Sequence, residues 1–73
     1  MKKLITICNH KLEIELIQAN SIHDMSTFHY EVNIYHKKNI SNDCKHKIKS
    51  QIHILNLFPG IDIWNHNFKK VAN

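Results

Sequence analysis

Apolar and polar residues alternate over most of this chain, and the period of the alternation changes once. From Lys2 to Gln18, "KKLITICNHKLEIELIQ", apolar positions recur at nearly every second residue, the spacing of strands that bury one face. Reading Asn9 and His10 as a two-residue turn pairs Cys8 with Lys11, Ile7 with Leu12, Thr6 with Glu13, Ile5 with Ile14 and Leu4 with Glu15. That register gathers Ile5, Ile7, Leu12, Ile14 and Leu16 on one face and leaves Cys8, Lys11, Glu13 and Glu15 on the other. Residues 19–26, "ANSIHDMS", are polar and irregular and read as a surface connection. The stretch "TFHYEVNIYH" then alternates strictly. Phe28, Tyr30, Val32 and Ile34 fall on one side and His29, Glu31, Asn33 and Tyr35 on the other, which predicts a third strand.

After Tyr35 the period lengthens. Cys44, Ile48, Ile52 and Leu55 recur at helical spacing, Ser41 suits the N-cap, and Asp43 complements the dipole of the first turn. "FPG", residues 58–60, is a stop signal. This predicts a helix over 41–57 with Lys45, His46, Lys49 and His53 opposite its apolar stripe; a strand over 52–58 is the alternative that length disfavours. "IDIW" is β-prone, and "NHN" after it either turns the chain into a further strand around Phe68 and Val71 or leads to a tail. The expected fold class is α+β. A small antiparallel sheet in the order β-β-β-α-β, with room for one more strand, carries one helix packed on one face. Residues 1–73 form a single small domain, too small for a large closed active-site cavity.

Composition changes this picture in two ways. The start "MKKLITICNHK" imitates a secretory signal, but its apolar run stops at Cys8, and no stretch approaches the ~20 apolar residues of a membrane span. A cytoplasmic location with Cys8 and Cys44 as free thiols is therefore expected. The net charge is +4 and all the basic residues are lysines. Basicity suggests an acidic partner such as nucleic acid, yet Ile, Asn and Lys abound while Gly, Ala, Pro and Arg are scarce. An AT-rich genome, bacterial or viral, accounts for that bias without invoking a partner.

Three groups of residues could carry chemistry. "CNH" at 8–10 and "CKH" at 44–46 offer two thiolates and two imidazoles, a set zinc accepts. The register above puts Cys8 on the outer face and Cys44 on the stripe covering the inner one, so the sheet separates the halves; neither a metal site nor a disulfide is expected. The helix lysines Lys45 and Lys49, with His53 and the preceding Lys37 and Lys38, could track phosphates. However, the chain has no Arg for bidentate base reading, and Glu13, Glu15 and Glu31 on the sheet face would repel a backbone. The third group is the uncovered sheet face, where Leu4, Ile17, Tyr35 and Trp64 interrupt the polar pattern as anchors for a protein partner or a second copy of the chain. No carboxylate pair, activated nucleophile or glycine-rich phosphate loop is present in the sequence. No enzymatic activity and no cofactor are expected. Protonation of all seven histidines would raise the charge towards +11 below about pH 6.5 and strengthen binding to an acidic surface.

A tiny Lys/Asn/Ile-rich domain of this build, with "YEVNIY" followed by a loop and a helix, resembles the small accessory proteins of phages and mobile elements, among them anti-CRISPR proteins. The resemblance covers the overall plan. It implies stoichiometric inhibition of a bacterial defence complex such as a CRISPR–Cas effector, acting in the host cytoplasm. A small basic nucleic-acid-binding module and a structural or regulatory homodimer are the alternatives that the residues leave open.

Overall fold

The first strand leaves the N-terminus as β1 (Lys2–Ile7), turns over two residues, and returns as β2 (His10–Asn20). In the computed structural model, which describes residues 1–20 and 27–71, the chain continues as β3 (Phe28–His36), α1 (Asn42–Ile54) and β4 (Ile63–Lys70). The sheet order is β1-β2-β3-β4. The first two pairings are antiparallel; β4 returns through the helix to lie parallel to β3 at one edge, as a crossover through a helix allows. The expected α+β class and element order are observed. Of the connection read at 19–26, Ala19 and Asn20 belong to β2, and residues 21–26 lie outside the described residues.

Two local expectations are corrected. The hairpin turn falls on Cys8 and Asn9, whose φ angles are +54° and +63°, so Ile7 faces His10 and Ile5 faces Leu12. The register thus differs by two residues from the one predicted from an Asn9–His10 turn. Both central residues of this tight turn take positive φ, which suits Asn9 but which Cys8 adopts against the usual residue preference. A shift of two preserves the faces, so Ile5, Ile7 and Leu16 still flank the buried Leu12 and Ile14. At the other end, "NHN" makes no turn: residues 65–67 run straight through β4.

The core lies between the inner sheet face and α1: Leu12, Ile14, Val32, Ile34, Ile40, Ile48, Ile52 and Phe58 are all buried. Ser41 caps the helix as expected, its Oγ accepting from the Cys44 backbone N–H at 3.2 Å. The helix ends three residues before the predicted Leu57. Asn56 adopts φ +51°, its N–H reaches the His53 carbonyl, and the Leu57 N–H reaches that of Ile52. These two bonds make a Schellman cap, with Asn in the left-handed position usually held by Gly. Leu55, assigned to the apolar stripe, is instead the exposed C-cap. Leu57 and Phe58 beyond the cap fold back onto the core. Phe58-Pro59-Gly60-Ile61 then closes a β-turn, with Gly60 at φ +76° and the Ile61 N–H donating to the Phe58 carbonyl at 3.2 Å.

Candidate functional site: the open sheet face

Because α1 covers the inner face alone, the outward side chains of β2, β3 and β4 form an uncovered surface. The registers place Glu15 opposite Asn33, and Asn33 opposite Asn67. A chain of hydrogen bonds runs across the three strands through these residues. The Tyr35 hydroxyl donates to Glu15 Oε1 at 2.8 Å, and Asn33 Nδ2 approaches the same oxygen at 3.4 Å. Asn67 Nδ2 donates to Asn33 Oδ1 at 3.2 Å and to Glu31 Oε1 at 2.9 Å. His29 Nε2 lies 2.6 Å from Glu31 Oε2. The His29 ring then stacks on Trp64, with centroids 5.0 Å apart and planes inclined by 15°.

The electrostatics follow from these bonds. Hydrogen bonds from Tyr35 and Asn33, helped by nearby Lys2, hold the Glu15 carboxyl below the ordinary carboxylate range. Asn67 and His29 do the same for Glu31. The Tyr35 hydroxyl is pushed up, chiefly because its hydrogen bond to Glu15 requires the proton. Both carboxylates are therefore charged at neutral pH. Each has only part of its acceptor capacity, about four lone-pair sites, engaged within the chain. Lys2 approaches Glu13 and Glu15 at 3.8 and 3.9 Å, too loosely in this exposed setting to neutralise them.

Apolar side chains frame this polar strip. Trp64 is 66% exposed, and Leu4, 81% exposed, lies across the sheet on β1. A shallow groove of about 460 Å³ beside Leu4 is also lined by Glu13, Tyr35, Lys37 and Val71. Tyr35 and Trp64, both expected at a binding surface, thus share the open face. Tyr35 is half-buried and tied into the network, whereas Trp64 is free for contact.

The other residues expected at a binding surface lie elsewhere. Lys49 and His53 are exposed on α1, and Lys37 and Lys38 on the loop before it. Lys45 is half-buried, with its ammonium 5.4 Å from the centre of the Phe68 ring. Exposed lysines thus line α1 and the loop before it, while Glu13, Glu15 and Glu31 share the open face with Lys2, Lys11 and Lys69. His66, half-buried on the inner side of β4, has its imidazole pulled below the ordinary histidine value by burial and by nearby Lys49.

The expected separation of Cys8 from Cys44 is overturned. With the turn on Cys8 and Asn9, Cys8 leaves the strand and its thiol comes within interaction range of that of Cys44. Both cysteines are free and half-buried. The histidines of "CNH" and "CKH" do not complete a metal centre: among the described residues no group of three or more His, Cys, Asp or Glu is placed to hold an ion.

The polar network itself was not anticipated. Its members were legible as outward residues of β2 and β3, but the contribution of Asn67 depends on the parallel pairing of β4. A bulge, with Ile63 opposite Tyr30 but Asn65 opposite Glu31, breaks the alternation between "IDIW" and "NHNF", so the sequence pattern gives no signal that Asn67 faces outward. Comparison with protein-family models, curated proteins and solved structures found no match to this chain. No described helix is long and apolar enough to cross a membrane.

Proposed function

We propose that this chain is a non-enzymatic binding protein that acts by stoichiometric occlusion of a protein partner, docked on the open sheet face. The observation that carries the reading is the pre-ordered strip Tyr35–Glu15–Asn33–Asn67–Glu31–His29, ending on the exposed Trp64. Side chains fixed before binding lose little entropy on association, and an exposed Trp beside a satisfied polar patch has the chemistry of an interface anchor. The partner that fits is a basic protein surface, whose Lys or Arg would use the free acceptor sites of Glu15 and Glu31. A nucleic-acid-binding surface of a bacterial defence complex has that character. Inhibition of such a complex in the host cytoplasm, in the manner of anti-CRISPR proteins, is the specific form of the reading.

The lysines of α1 favour a second reading. Lys45 and Lys49 with His46 and His53 on the helix, and Lys37 and Lys38 on the loop before it, offer a basic side to phosphates. Affinity capture of the tagged chain from host lysate, with and without nuclease, separates the two. A stoichiometric protein complex that survives nuclease supports the first; capture that vanishes with nuclease supports the second and removes the first. Self-association of the purified chain at micromolar concentration, abolished by Trp64→Ala, would instead make the occupant of the face a second copy.

A further inference from the structure

The β1–β2 turn and the first turn of α1 bring together the two cysteines. Cys8 occupies the first of two left-handed turn positions, φ +54°, where Asn, Asp or Gly suits the backbone and Cys does not. The turn packs beside the start of α1, where Cys8 shares a groove with His46 and Lys47, and its thiol interacts with that of Cys44, the third residue of the helix, whose backbone N–H is held by Ser41. Both side chains are only half-buried. An open groove of about 590 Å³, lined by Thr6, Cys8, His46, Lys47 and Leu55, runs beside the pair.

The two thiols are not equivalent. Hydrogen bonds from Ser41 and Cys8, together with nearby Lys47, draw Cys44 below the ordinary thiol range. Cys8 is pushed up because its proton serves the bond to Cys44. This is the asymmetry of an attacking and a resolving thiol.

We propose that Cys8 and Cys44 form a redox-active dithiol that closes to a reversible intramolecular disulfide, stapling the β1–β2 turn to the start of α1. The oxidant is a low-molecular-weight disulfide such as oxidised glutathione. The Cys44 thiolate attacks one of its sulfurs, the S–S bond breaks, and one glutathione thiolate leaves. Cys8 then loses its proton to water, and its thiolate attacks the Cys44 sulfur and displaces the second glutathione thiolate. The protein gives up two electrons and two protons, and the oxidant departs as two thiols. Closure brings the two sulfurs to about 2 Å. The proposal is independent of what binds the open sheet face.

The test incubates the reduced full-length chain with graded mixtures of oxidised and reduced glutathione, blocks free thiols by alkylation, and measures intact mass and the linked peptides. The expected product carries no alkyl group, lacks two hydrogens, yields a Cys8–Cys44 peptide and unfolds roughly 10 °C above the reduced chain. Chains that stay fully alkylatable at every ratio, or that only accumulate bound glutathione, overturn the proposal. Cys8→Ser removes the resolving thiol, so it should trap one glutathione on Cys44. Cys44→Ser should leave Cys8 reacting several-fold more slowly. Equal rates in the two variants would overturn the assignment of Cys44 as the attacking thiol.

Discussion

Asn33 sits on the solvent side of the sheet, yet only 8% of it is exposed, because Glu15, Tyr35 and Asn67 close over it through hydrogen bonds. Removing it strands the groups it joins, and an unpaired buried polar group costs about 1–3 kcal/mol. Asn33→Ala should therefore lower the free energy of unfolding in denaturant by about that amount, while Asn33→Asp should also add repulsion with Glu15. Trp64 behaves in the opposite way. Being mostly exposed, it contributes little beyond its stack on His29, so Trp64→Ala should change stability by no more than about 1 kcal/mol while weakening partner capture at least tenfold. Ile48, fully buried under the sheet, is the contrasting core position. Ile48→Ala should cost about 3 kcal/mol, a large share of what a domain of this size possesses.

At the scale of elements, the strands were legible because a register shift of two residues leaves each side chain on its own face. Shifting the β1–β2 pairing by two residues leaves Ile5, Ile7, Leu12 and Ile14 on the same face, so a wrong turn still gave the right core. The turn itself was not legible. Cys at a left-handed position violates the usual residue preference, and that error alone separated Cys8 from Cys44. The helix start was read correctly from Ser41; its end was missed because Asn56, not a Gly, takes the left-handed cap. These placements make further predictions. Asn56→Gly and Asn9→Gly, at φ +51° and +63°, should each raise stability by up to about 1 kcal/mol, and Ser41→Ala should lower it by about 1 kcal/mol. Chemical denaturation checks all three, and a loss on Asn56→Gly would contradict the cap geometry.

On the scale of the whole molecule, charge governs the pH response. Glu15 and Glu31 are held below the ordinary carboxylate range in the folded state. On acidification the unfolded chain takes up protons first, so their stabilisation is present above the unfolded value and disappears as pH falls through the folded one. His66, also lowered, acts in the same direction at higher pH. The thermal midpoint should therefore begin to fall as pH drops below about 6.5 and fall again in the carboxylate range. His66→Gln should remove the first step and Glu15→Gln part of the second; a midpoint that rises on acidification would contradict these assignments.

The open face with its exposed Trp64 and the lysines of α1 lie on different sides of the molecule, which makes the location of binding a measurable quantity. The most direct test compares three tagged chains in capture from nuclease-treated host lysate: the wild type, Trp64→Ala, and the double variant Lys45→Glu with Lys49→Glu. Binding on the open sheet face predicts one stoichiometric protein partner retained by the wild type and the lysine variant and lost with Trp64→Ala. Retention by Trp64→Ala with loss in the lysine variant would contradict it and move the binding surface to the helix.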